Sequence, residues 1–177
     1  MSDLAPIRVL GLGNVLMGDD ALGPWVIEEL LARWEFPEEV SVVDVGTPGL
    51  DLTPYLADAR AVLLVDTVHS DASPGTLRIY PREALLRMAP QPRMSPHDPG
   101  LTEALLALSL AGSAPADVTL VGVVPGSVAM GVGLSSAVRA AVPAAAEEIV
   151  ARLAAFGCAP RARSAAAAAV PWWEAVV

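Results

Sequence analysis

With 177 residues, 54% of them hydrophobic and only 18% charged, the chain is long enough for one core and too apolar to stay unfolded, which excludes an intrinsically disordered protein. Eleven Lys and Arg against twenty Asp and Glu give a net charge of −9, a field that repels phosphate backbones and anionic lipid and argues against nucleic acid or a membrane as partner. The one cysteine, Cys158, forms neither an internal disulfide nor a zinc framework; with no secretory signal in MSDLAPIRVLGLG and no apolar run of roughly 18 residues, the expectation is a cytoplasmic monomer.

In chain order, residues 7 to 13 (IRVLGLG) read as a strand stopped by glycine, and residues 21 to 34 as a helix with Pro24 in its first turn. Asp19 and Asp20 precede that helix, where the positive end of its dipole favours them. VSVVDV at 40 to 45 reads as a second, buried strand, DLTPYLAD as a short helix, and AVLLVDTV at 61 to 68 as a third strand. TLRIYP at 76 to 81 follows too short a connection for a parallel crossover, so it is expected to return as an antiparallel hairpin partner. A Pro-rich stretch at 90 to 99, a helix through LTEALLALSLAG, a strand at 117 to 125 and a long helix from about 134 to 156 complete the pattern.

The alternation predicts an α/β fold, a three-layer sandwich whose five-stranded, mostly parallel twisted sheet has one antiparallel strand and helices on both faces. Residues 1 to 157 would form one domain. Residues 158 to 177, with five consecutive alanines and PWWEAVV, read as a loosely attached tail, docking of its tryptophans being the alternative.

GLGN at 11 to 14 superficially suggests a dinucleotide fingerprint. The register fails, because the third glycine would fall on Leu16, and Asp19 and Asp20 bring negative charge where a pyrophosphate needs amide donors. The acids themselves make a better case. In a parallel sheet Asp20 after the first strand, Asp44 ending the second and Asp66 ending the third lie along one edge, where ligands bind beside the reversal of strand order. Asp66 closes an apolar run, so its carboxylate would be desolvated unless a cation or several donors faced it. Asp19 and Asp20 have helix capping as their plainer role, and Asp44 a bond to the backbone of the following GTPG turn. His97, in SPHDPGL, sits between Pro96 and the expected helix start at Asp98 and Pro99; its plainer role is that of a loop residue, as for His69.

Two carboxylates and an imidazole bind a first-row divalent ion with coordination positions left open, which suits nickel or zinc without choosing between them. No HExxH, no GxSxG elbow and no core cysteine is present, so no ordinary catalytic apparatus is visible and no catalytic residue is assigned.

Taken together, VLGLGNVLMGDDALGPWVIEEL, VDVGTPG, LLVDTV, SPHDPGL and TLVGVVPGS resemble the nickel hydrogenase maturation endopeptidases in order and spacing, over roughly residues 7 to 156. The resemblance implies a five-stranded sheet between helices and an enzyme that trims a C-terminal peptide from the large-subunit precursor of a nickel-iron hydrogenase after nickel insertion. It places the family's metal contacts on Asp20, Asp66 and His97. The first of these is often glutamate in the family; aspartate, one methylene shorter, brings the loop closer to the ion or acts through water. Asp44 and Thr47 would orient the substrate or select it, and Asp19 is a substitute ligand. The nickel would be carried by the substrate, with zinc or cadmium standing in for it in vitro. The alternatives are a metal-dependent peptidase or hydrolase acting on another substrate, and a non-catalytic metal or nucleotide-binding module.

Overall fold

The computed structural model describes residues 6–47, 52–87, 98–165 and 168–174. The first strand, β1 (Ile7–Leu12), runs into a loop and a single 3-10 turn (Gly18–Ala21) before helix α1 (Leu22–Arg33). A two-residue strand β2 (Trp34–Glu35) precedes β3 (Val40–Gly46), and a one-turn helix α2 (Thr53–Leu56) leads to β4 (Ala61–Thr67). Strand β5 (Leu77–Pro81) and helices α3 (Arg82–Arg87) and α4 (Asp98–Ala111) follow. Strand β6 (Asp117–Val123), helix α5 (Ser136–Ala155) and a two-residue strand β7 (Arg161–Ala162) complete the described elements.

The main sheet has the order β3-β1-β4-β6-β5, parallel except for β5, as the alternating pattern predicts. Every residue of β4 is buried, and its side chains alternate between two cores because successive residues of a strand point to opposite faces. Leu63 and Val65 join Val9, Val121 and Val123 under α1 and α5. Val62 and Leu64 join Leu10, Val118 and Leu120 under α2 and α4. Each fully buried Leu or Val contributes about 1.5–3 kcal/mol relative to exposure, so this central strand anchors both layers.

Three expectations differ from the structure. β5 is antiparallel but pairs with β6, which stands between it and β4, so the two strands are not a hairpin. β3, expected to be buried, is an edge strand: among its residues only Val40 is buried, and Val43 and Asp44 are exposed, because pairing on one side leaves the other unpacked. In its described residues the tail is docked rather than loose. β7 pairs antiparallel with β2, and Trp173, only 4% exposed, enters the core beneath α1 and α5 with its ring edge-on to Trp25 at 6.3 Å. Ala-rich composition conceals both contacts, since neither follows from periodicity. Among the described residues no helix is long and apolar enough to cross a membrane.

Candidate functional site

β1 has β3 on one side and β4 on the other, so strand order reverses between β1 and β4, and the crevice beyond their carboxyl ends is where open α/β sheets place ligands. The chain brings Asp20 there from the 3-10 turn after β1 and Asp66 from the carboxyl end of β4. Thr67 joins them: its backbone N–H donates to Asp66 Oδ1 at 2.7 Å and its hydroxyl reaches Asp20 Oδ1 at 3.4 Å. The other Asp20 oxygen, Oδ2, accepts the Asn14 N–H at 2.8 Å, so the GN pair that ends the first strand also orients the acid. Asp66, Thr67 and Asp20 are all buried.

Asp20 keeps its place because the backbone around it is packed without slack. Gly13, at φ +138°, lies so close to the Asp20 carbonyl that a Cβ there would fall 1.8 Å from that oxygen. Gly23, in the first turn of α1, meets the Leu12 carbonyl in the same way at 2.1 Å. The glycines of GLGN thus serve close approach of strand, loop and helix, not a phosphate.

Asp19 has a different set of partners from Asp20. Its Oδ2 accepts the amides of Gly126 (2.7 Å) and Ser127 (3.0 Å) and the Ser135 hydroxyl (2.8 Å), and its Oδ1 accepts the Ser135 amide (2.6 Å). Burial on its own would raise this carboxyl, but the amides of Ser127 and Ser135, the Ser135 hydroxyl and the Gly126 amide together hold it below its ordinary value. Asp19 therefore ties the first loop to the segment between β6 and α5. Backbone pairing reinforces that tie: Gly18 N–H to Gly131 O at 2.8 Å, Gly131 N–H to Leu16 O at 2.8 Å and Asp19 N–H to Ser127 O at 2.9 Å. Neither Asp19 nor Asp20 caps α1, whose N-cap is Ala21 without a side-chain bond.

Asp44 is exposed at the end of the edge strand and accepts the Gly46 N–H at 2.9 Å, the local turn bond that an aspartate before such a turn favours. Thr47 is exposed beside it. His97 lies outside the described residues, immediately before α4 in sequence. Among the described residues no three His, Cys, Asp or Glu side chains form a metal-holding group, so the described part of the site is the carboxylate pair alone.

A family model for hydrogenase maturation proteases matches residues 24–152. The chain belongs to that family. This maturation protease is 36% identical over 148 residues to the hydrogenase 2 maturation protease of Escherichia coli K12, a match covering 83% of this chain and 90% of that one. It is likewise 36% identical over 160 residues to the hydrogenase expression/formation protein HoxM of Cupriavidus necator, covering 90% and 79%. The solved structure of the Escherichia coli hydrogenase maturating endopeptidase HybD superimposes with a TM-score of 0.83 at 35% identity, over 90% of this chain and 98% of its own. The maturation protease HybD of Thermococcus kodakarensis gives 0.67 at 26% identity, over 84% and 99%. The enzyme is accordingly a peptidase with the fold that its strand pattern predicts.

Ser135 and Thr67 have roles that sequence reasoning did not reach. A serine directly before a long helix is an ordinary capping signal, yet the Ser135 hydroxyl makes no cap bond and goes to Asp19 across 116 residues of chain. Thr67 carries no signal beyond its place next to Asp66.

Proposed function

We propose that this protease removes a C-terminal peptide from the large-subunit precursor of a nickel-iron hydrogenase, and that Asp20, Asp66 and His97 hold the nickel that the precursor carries. The observation that carries this reading is the meeting of Asp20 and Asp66 on Thr67 at the reversal of strand order. Two buried carboxylates that both touch one threonine are oxygen donors of the kind a divalent cation takes. Oxygen donors of this kind, with one imidazole, suit a first-row ion and leave positions for the substrate's own ligands.

Such an open site binds weakly until the precursor completes the coordination, so cleavage is coupled to metal loading. The nickel then acts as a recognition handle. Zinc or cadmium would take the same donors in vitro. Exposed Asp44 and Thr47, on the neighbouring strand end, are placed to orient the precursor or to select it, and the cytoplasm is where such a precursor would be met.

Intact-mass analysis tests the reading: nickel-loaded and nickel-free precursors are incubated with the wild type and with Asp20→Ala, Asp66→Ala and His97→Ala variants. Loss of one C-terminal peptide is expected only with nickel and only from the wild type. Equal cleavage of the nickel-free precursor, or cleavage of generic peptides instead, would turn the reading towards a metal-dependent hydrolase with another substrate.

A further inference from the structure

The described tail converges on one arginine. Arg139, in the first turn of α5, lays its guanidinium 4.4 Å from the centre of the Trp25 ring and donates to Glu174 Oε1 at 2.6 Å. Trp173, next to Glu174, is buried edge-on against Trp25, and a turn from Pro171 to Glu174 (N–H to O at 3.1 Å) holds the pair in position. On its other side the Arg139 amide donates to the Ser135 carbonyl at 2.9 Å. Ser135 is the residue whose own amide and hydroxyl hold Asp19, the neighbour of Asp20. Glu174 Oε1 also stands 3.6 Å from where a Cβ on Gly133 would be, and both residues line one groove, so the tail lies beside the same segment at a second point.

We infer that Arg139 and Glu174 are positioning residues for peptide cleavage, the tail acting as a strap that fixes the Gly126–Ser135 segment and, through Asp19, the loop that carries Asp20. This rests on the proposed role of Asp20. The physical basis is the continuity of the contacts: aromatic burial fixes the strap, a cation held both over a ring and against a carboxylate has little freedom, and the Asp19 carboxylate is bonded to the segment at four points. A misplacement of about 1 Å at a reacting centre is enough to slow it, even when its cause lies far from the chemistry. The strap differs from the other tail contact, the exposed Glu35–Arg161 pair, which lies between β2 and β7 and leads to no site loop.

The test compares Arg139→Ala, Glu174→Ala, Arg139→Lys and, as control, Glu35→Ala in the full-length protein. With nickel-loaded precursor, kcat is expected to fall about tenfold in Arg139→Ala and Glu174→Ala while KM stays within about twofold, and Arg139→Lys should recover most of kcat. Glu35→Ala should match the wild type. Hydrogen exchange on the same proteins, which needs no substrate, should show faster exchange at the Ser127 and Ser135 amides in the two alanine variants and no change in β4. Unchanged exchange at those amides overturns the strap whatever the substrate proves to be. A loss carried by KM alone also overturns it, since the open groove of about 580 Å³ lined by Val132, Gly133, Leu134, Ser135, Arg139 and Glu174 would then be a docking surface. Absence of wild-type cleavage would count against the proposed substrate and leave the exchange result to decide the strap.

Discussion

Ser135 gives Asp19 both its backbone N–H, at 2.6 Å, and its hydroxyl, at 2.8 Å, so that one residue satisfies the two oxygens of a carboxylate 116 positions away. With the Gly126 and Ser127 amides this makes four donors on a group that is 1% exposed, and the burial cost is offset only while the carboxylate is charged. The folded value lies below the ordinary 3.8, so the stabilisation is complete above about pH 3.8 and is lost as pH falls through the lower folded value. Asp19→Asn, which sets an NH2 donor against donors, should cost about 2–4 kcal/mol at neutral pH, and Ser135→Ala about 1–2 kcal/mol. Denaturant titrations at pH 7 and at pH 3 check both the size and the sign: the gap between wild type and Asp19→Asn should narrow in acid. A gap that widens in acid would rule out the charged carboxylate as the source of the stability.

Thr67 touches both carboxylates of the site, Asp66 through its backbone N–H and Asp20 through its hydroxyl, and at 3.4 Å the hydroxyl bond is a long one whose loss should cost less than about 1 kcal/mol of stability. Thr67→Val keeps the shape and the backbone N–H to Asp66 while removing the hydroxyl. Expected are a melting temperature near that of the wild type and a fall of roughly tenfold in kcat for precursor cleavage, with Thr67→Ser close to the wild type. Steady-state rates on the nickel-loaded precursor decide it; equal rates for Val and Ser would make Thr67 a packing residue only.

Much of this was legible in the chain because the decisive features are local. An apolar run that ends in an aspartate gives β4 and Asp66, and glycine after a branched strand gives β1 and its loop. The reversal of strand order marks the crevice at whose edge Asp20 and Asp66 each bond Thr67. What was not legible depends on partners far apart in sequence. Whether Asp19 or Asp20 faces the crevice is settled by amides at 126, 127 and 135, and the docking of Trp173 is settled by Trp25. β5 shows the same limit: its direction follows from the short connection, but its neighbour is set by β6, which comes later in the chain.

Asp20 and Asp66 should separate stability from activity more sharply than any core residue. Asp20→Asn keeps an oxygen able to accept the Asn14 N–H and so should cost no more than about 1–2 kcal/mol, while removing the charge that the precursor's cation would meet. Cleavage should drop by two orders of magnitude or more, on the order of what is lost when a group acting only on the reacting centre is removed. Thermal melts alongside intact-mass time courses check the pair of outcomes. A variant that melts normally and still cleaves at the wild-type rate would remove Asp20 from the site.

Gly13 and Gly157 both have a positive φ that side chains rarely adopt, +138° and +82°, but only one of them is crowded. At Gly157, just past the end of α5, nothing lies within 4 Å of an added Cβ, so Gly157→Ala should carry the conformational cost alone, about 1 kcal/mol, and leave cleavage untouched. At Gly13 the added carbon would stand 1.8 Å from the Asp20 carbonyl oxygen, and backbone cannot swing aside as a side-chain tip does. Either the loop moves with Asp20 or the strand gives way, and the cost should reach about 3 kcal/mol or more. Gly13→Ala should therefore lose activity even where it remains folded, and hydrogen exchange should show the loss of protection beginning at Asn14, whose N–H is the one that Asp20 accepts. Gly13→Ala with full activity and an undisturbed Asn14 amide would mean that this loop does not hold the acid in place.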